Sequence, residues 1–227
     1  MAQDFPSASV GVERVLEKVK SSRKQGDSRR KMGDERGAIE AFGEGLASIE
    51  AALAQIDARP SAVSAEDHAE LLGAKGGLLS RLGLERRHDA LRAYELGAQV
   101  EVGRELSSTY NRLNAIKHRL TTGMSRLADL VPELKSLCEF IEGRLREDSA
   151  LSDSGWAWSD LGDCRALLGD RDQALAAYRA FIEKAELKSP SRSLDVLRGL
   201  VQSMEAAGDP DAQRTRAAAE LLEQALA

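Results

Sequence analysis

Three histidines and two cysteines are where this sequence could carry reaction chemistry. His68 follows Glu66 and Asp67, and His88 precedes Asp89, so each imidazole has a carboxylate beside it in sequence. General acid–base work needs the two groups to face one another, and neighbours in sequence on a helix point apart. No nucleophile motif accompanies them. Cys138 and Cys164 stand outside any CxxC, and neither they nor His68, His88 and His118 have zinc-ligand spacing, so they read as small buried hydrophobes in a reducing compartment. "GAKGGLL", Gly73 to Leu79, lacks the GxxxxGK-[ST] order of a phosphate loop, and its glycines read as points of close helix contact. These residues imply no catalytic centre, metal or cofactor, and the expectation is a chain that is not an enzyme.

The elements around them are helical. Hydrophobic residues make up 42% of the 227 positions and charged ones 30%, a globular composition, while aromatics at 4% favour helices over strands. Five prolines leave long uninterrupted stretches. Apolar residues recur at three- and four-residue spacing, as Val15, Leu16 and Val19 do, or Leu221, Leu222 and Leu226. No stretch of eighteen apolar residues and no cleavable leader pattern is present, which gives the expectation of a cytoplasmic chain with no membrane partner. A formal charge of -5 disfavours a whole-surface nucleic-acid binder.

Three stretches repeat one another: "MGDERGAIEAF" at Met32, "LGLERRHDALRAY" at Leu82 and "LLGDRDQALAAYRAF" at Leu167. Each reads as the joint of a helical hairpin. Gly33-Asp34, Gly169-Asp170 and Gly208-Asp209 put a left-handed glycine at a helix end and an aspartate at the start of the next, with Pro210 at a first helical position and Gln173 completing a capping-box-like set with Asp170. Ala38 with Phe42, Ala90 with Tyr94 and Ala174 with Tyr178 then pair a small and a large residue four apart on one face, setting a helix crossing.

The stretch Gly155 to Pro190 resembles a tetratricopeptide repeat: Trp158, Leu161 and Gly162 match its first block, Ala174 and Tyr178 its second, Arg165 replaces a tyrosine, and Pro190 comes about one turn late. Leu72, Gly76, Leu79 and Gly83 echo the pattern, as do Leu197, Leu200, Met204 and Gly208. Ala38 to Ala90 spans 52 residues and Ala90 to Ala174 spans 84, room for one further unit in the second gap. The mean interval is then about 45 residues against about 34 in the standard repeat. The fold expected is all-α, a superhelical stack of five antiparallel hairpins near 9–57, 64–103, 105–147, 153–188 and 191–226. It is a single domain over 9–227 behind a disordered 1–8, with Pro132 in the first turn of its helix or at a kink.

That resemblance implies a protein-protein interaction scaffold whose first helices line a concave groove for a peptide or partner protein. By register the groove residues are Lys20 and Arg23, Arg81, then Asn111, His118 and Arg119, then Trp156, Ser159 and Asp163, then Arg198. Several are basic, so an acidic segment is the expected partner. The Lys and Asn pattern by which some members hold a terminal carboxylate is not reproduced in full. Trp158 falls on the signature's buried position, which leaves Trp156 at the groove rim or packed against Pro190 or the preceding helix. Lys18 to Lys31 holds seven basic residues and one acid, a strip that nucleic acid could use, although no aromatics interleave for base stacking. The alternatives left open are a regulatory or sensor module of a bacterial multidomain or multisubunit effector system and a nucleic-acid-binding helical array. Self-association is also open, because the last helix has an apolar side.

Overall fold

A computed structural model describes residues 8–59, 61, 63–153, 155–184 and 189–226. The expected disorder of the first residues therefore lies outside the described part up to position 7. Among the described residues the chain is all-α, with no strand. It divides into two compact units, one ending at Leu106 and one beginning at Ser107. The helices fall at the five expected hairpins.

The N-terminal unit holds α1 (Ala8–Lys31), α2 (Glu35–Ala58), α3 (Ala65–Leu82) and α4 (Arg87–Gly103), with one 3-10 turn at Leu84–Arg86. α1 pairs with α2 and α3 with α4, while α2 also lies along α3 and α1 touches α3. Gly33, φ +80°, ends α1 in the left-handed conformation, and the Asp34 carboxylate accepts from Gly37 N at 2.9 Å. Val19, Phe42, Ile49, Leu71, Leu78 and Leu79 form the centre of its core.

The C-terminal unit holds α5 (Tyr110–Thr121), α6 (Leu127–Glu147), a short α7 (Ser149–Asp153), α8 (Gly155–Leu168), α9 (Arg171–Lys184), α10 (Ser189–Ala206) and α11 (Ala212–Leu226). Its packing order differs from that of a plain stack. α5 meets its own hairpin partner α6 only lightly, whereas α6 lies along α8, and α11 lies on both α8 and α9. α10 reaches α5. α8 is consequently enclosed, with Gly155, Ala157, Ser159, Leu161, Gly162, Asp163, Cys164, Ala166 and Leu167 all buried. A helix buried on several sides carries no single apolar stripe.

The repeated Ala and aromatic pair takes its meaning from the facing helix. Ala38, Ala90 and Ala174 are fully buried as expected. Each ring four residues later seats on a glycine of the first helix of its hairpin. A Cβ placed on Gly76 would lie 2.7 Å from Tyr94 Cζ, one on Gly162 would lie 2.5 Å from Tyr178 Cδ1, and one on Gly26 would collide with the Phe42 ring. Carbon atoms in contact prefer about 3.5–4.0 Å, so only glycine admits the ring at these crossings.

Three joints differ from expectation. Asp170 does not cap α9 with its carboxylate, which instead accepts from Arg165 Nη1 at 3.3 Å. Arg165 also pairs with Glu142 of α6, so the residue standing in the tyrosine position ties the third hairpin to the fourth. Pro210 lies in the turn before α11, where Asp209 Oδ1 accepts from Asp211 N at 2.9 Å. Pro132 sits in the second turn of α6 rather than its first.

Candidate partner-binding surface

In the N-terminal unit the first helices of both hairpins, α1 and α3, bring part of the expected set together. Arg23 and Arg81 converge on Gly77. From the point where residue 77 would carry a Cβ, Arg23 Nη1 and Arg81 Nη1 are each 3.8 Å away and the Tyr94 hydroxyl oxygen 3.6 Å. A methyl group would fit there in ordinary contact, facing two guanidinium ends and a phenol. Arg81 is held in place by donating from Nε to Asp27 Oδ1 at 3.2 Å and from Nη1 to the Gly77 carbonyl at 2.9 Å. Arg30, one turn beyond Asp27, donates to the Arg81 carbonyl at 2.9 Å, pairs with Glu35 and lies over the Phe42 ring at 5.1 Å.

Arg23 makes no ion pair within 4 Å among the described residues, and its charge is felt by Glu70 of α3. Burial and the neighbouring Asp67 push the Glu70 carboxyl above its ordinary range, against the pull of Arg23. Lys20 lies midway along the same helix, 73% exposed in its side chain and 3.5 Å from Glu17. Lys18, Lys24 and Lys31 are exposed, whereas Arg29 donates to the Gly37 carbonyl at 3.2 Å, so the basic strip divides between solvent and internal contacts.

The C-terminal unit treats its candidates differently. Asn111 is 2% exposed and lies in the core, out of reach of any partner as packed. Ser159 and Asp163 are likewise buried, because side chains of α5, α9 and α10 meet them on the face of α8 that the resemblance assigned to a groove. Lys117 of α5 pairs with Asp163, Tyr178 donates to Asp163 Oδ1 at 2.8 Å, Thr109 donates to Asp160 Oδ2 at 2.7 Å, and the Ser159 and Ser193 hydroxyls are 3.4 Å apart. Those three residues of the expected set are therefore corrected from groove lining to interior. The cause is the packing order, which register along the chain does not reveal.

His118 is half-buried, with its carbonyl accepting from Thr122 Oγ1 at 2.8 Å. Arg119 donates twice to Glu133, at 2.6 and 2.8 Å, bridging α5 and α6, and Arg198 pairs with Glu223 at 2.9 Å, bridging α10 and α11. Trp156 is 58% exposed, with its ring centroid 5.9 Å from that of buried Phe181. Its expected contact with Pro190 falls on a side chain outside the described residues. Trp158 is half-buried and donates from Nε1 to the Ser152 carbonyl at 2.9 Å. With Leu161, Ala176, Ala177 and Ala180 it lines an open cleft of about 390 Å³, at whose edge lie Glu142 and Arg165.

His68 is half-buried on α3 and His88 is exposed on α4. No group of three or more His, Cys, Asp or Glu side chains is placed to hold a metal ion among the described residues. No helix among them is long and apolar enough to cross a membrane. The sequence reading missed Asp27, Gly77 and the Tyr94 hydroxyl. Asp27, four residues after Arg23, was the available signal.

No protein-family model and no curated protein matches the chain. Among solved structures it is similar to BtubC (BKLC) from P. vanneervenii at 16% identity, over 98% of this chain and 92% of that one, with a TM-score of 0.40. At that score the likeness bears on neither function nor mechanism.

Proposed function

We propose that the chain is a non-enzymatic binding scaffold of the tetratricopeptide kind, and that its N-terminal unit takes an acidic segment of a partner protein on the face shared by α1 and α3. One observation carries this reading: Arg23 and Arg81 converge over Gly77, and Arg23 has no ion-pair partner among the described residues. A guanidinium presents paired donors in a fixed plane, which suits a carboxylate better than it suits water. The helix hairpins locked by ring-on-glycine contacts supply a rigid frame for those two side chains. Lys20 and the exposed Lys24 extend the positive face and would raise the rate of encounter with an acidic partner.

The candidates of the C-terminal unit enter this reading only through Trp156, whose exposed ring is a plausible anchor for an apolar side chain. Arg119 and Arg198, like Arg81 with Asp27, are paired with acids across helices, so Arg23 is the recognition residue and Arg81 frames it.

Affinity capture from the native cell tests the reading, with the wild-type chain, Arg23→Glu and, as a charge-matched control, Lys135→Glu on α6 as baits. The expected result is a partner retained by the wild type and by Lys135→Glu and lost from Arg23→Glu. Equal recovery on all three baits would place the contact elsewhere.

A further inference from the structure

Helix α1 carries basic side chains on two sides, and the site over Gly77 uses only one of them. Arg23, Asp27 and Arg30 lie on the side that meets α3, where Asp27 and Arg30 hold Arg81. Val12, Val19 and Ser22 are turned into the core. At 3.6 residues per turn, the side facing away from both carries Arg14, Lys18, Ser21, Lys24, Gln25 and Ser28, all of them exposed. A shallow hollow of about 500 Å³ opens along it, lined by Ser21, Lys24, Gln25, Ser28, Arg29 and Met32, so no other helix contributes to it.

The charge on this side is uncompensated. Arg14, Lys18 and Lys24 make no ion pair within 4 Å among the described residues. Of the acids of α1, Glu13 and Glu17 stand in its first half, Glu17 is 3.5 Å from Lys20, and Asp27 is turned to Arg81. Arg29 donates to the Gly37 carbonyl at 3.2 Å, which fixes its guanidinium at the edge of the hollow.

Type and spacing select the anion. At a rise of 1.5 Å per residue, Arg14 and Lys24 are about 15 Å apart along the axis and Lys18 and Lys24 about 9 Å. A single carboxylate or phosphate cannot reach both ends, whereas a linear polyanion can. Hydroxyls and an amide fill the intervals, and Ser, Gln, Lys and Arg are side chains that hydrogen-bond phosphate oxygens. No aromatic stands among them to stack on the bases of a single strand. Met32 is the one large apolar side chain at the hollow, 73% exposed at its end, so the face lacks the buried anchor around which protein interfaces form.

We propose that this side of α1 is a second binding site, which takes the phosphate backbone of duplex nucleic acid without reading its sequence. Arg14, Lys18 and Lys24 supply the charge, and Arg29 with the two serine hydroxyls places the helix on the strand. A chain of formal charge -5 has no basic surface overall, so the contact is confined to this helix. The site is independent of the one over Gly77.

The test is the anisotropy of short fluorescein-labelled duplexes of two unrelated sequences, titrated with the full chain at rising salt. Both sequences should bind equally, with log K falling against log salt at a slope of about -2.7, the value for three phosphates neutralised. The triple variant Arg14→Gln, Lys18→Gln, Lys24→Gln should bind duplex at least about tenfold more weakly. It should keep most of its affinity for a glutamate-rich peptide, losing only what Lys24 lends to encounter, and Arg23→Gln should show the reverse pattern. Absence of duplex binding at low salt, a strong preference for one sequence, tighter binding of a single strand, or a triple variant that binds duplex as the wild type does would overturn the proposal. Equal affinity for phosphatidylserine vesicles, lost in the same triple variant, would also overturn it by assigning the face to a membrane. The wild-type salt slope decides by itself if the triple variant fails to fold.

Discussion

Replacing Gly162 by alanine separates intrinsic helix preference from tertiary packing, because the two act in opposite directions. Helix propensity alone favours alanine at an interior helical position by about 1 kcal/mol. Packing opposes it. The added methyl would lie 2.5 Å from Tyr178 Cδ1 and Cε1 and 3.1 Å from Cζ, about an ångström inside carbon contact distance. Tyr178 is fully buried and its hydroxyl is tied to Asp163 at 2.8 Å, so the ring cannot withdraw without giving up that bond. Overpacking by one methylene costs about 1–3 kcal/mol, and a buried carboxylate losing a donor about 1–3 kcal/mol more. Set against the propensity gain, the net expectation is a loss of about 1–5 kcal/mol. Each kcal/mol lowers the melting temperature of a unit this size by about 4 °C. Thermal unfolding followed by circular dichroism reads it directly. Tyr178→Leu should cost stability in the wild-type background and much less in Gly162→Ala, the non-additivity expected of residues in contact. A melting temperature unchanged or raised in Gly162→Ala would refute the ring-on-glycine account, as would strict additivity in the double variant.

Other consequences concern the buried charges and the cationic face. Lys117→Met strands the Asp163 carboxylate in the core and should cost about 3–5 kcal/mol in a denaturant melt, whereas loss of an exposed pair such as Arg36 with Glu40 should cost under about 1 kcal/mol. Burial lowers the Lys117 ammonium, but Asp163, Asp160 and the hydrogen bond to Asp163 outweigh it and leave the group raised, while burial, helped by Asp163, pushes Tyr178 well above its ordinary range. For both groups the folded value exceeds the unfolded one. Their contribution is therefore fully present below about pH 10 and is lost as pH climbs toward the folded values. Melting temperatures measured from neutral to strongly alkaline pH should fall less steeply in Tyr178→Phe than in the wild type, and parallel slopes would contradict this assignment. Gly77→Ala places its methyl 3.6 Å or more from every neighbour, so it should melt at or above the wild-type temperature by about 1 kcal/mol of helix preference.

The hairpins were legible because their punctuation is local. A glycine that must adopt positive φ, as Gly33, Gly169 and Gly208 do, marks a helix end whatever lies around it. The small-and-large pairing at Ala174 and Tyr178 also announced a close crossing, but its true partner, Gly162 on the facing helix, is a tertiary fact sixteen residues away. Arg23 and Arg81 could be assigned to one face because register along α1 and α3 fixes which side each takes. Asn111, Ser159 and Asp163 could not be placed this way. Ser159 and Asp163 are met by side chains of α5, α9 and α10, and Asn111 is buried on α5, an order of packing that no local pattern in α5 or α8 records. Asp170 shows the reverse case, in which a sound local rule is overridden when Arg165, five residues earlier on α8, claims the capping carboxylate.

The central functional claim is that an acidic segment docks where Arg23 and Arg81 converge over Gly77. Its most direct measurement is the anisotropy of a fluorescein-labelled glutamate-rich peptide titrated with the wild-type chain, Arg23→Gln and Gly77→Ala, repeated at rising salt. The account predicts salt-sensitive binding to the wild type, about tenfold weaker for Arg23→Gln, and weakened in Gly77→Ala although that variant is at least as stable. Binding of equal strength to all three proteins would contradict it, and so would a peptide that binds none of them.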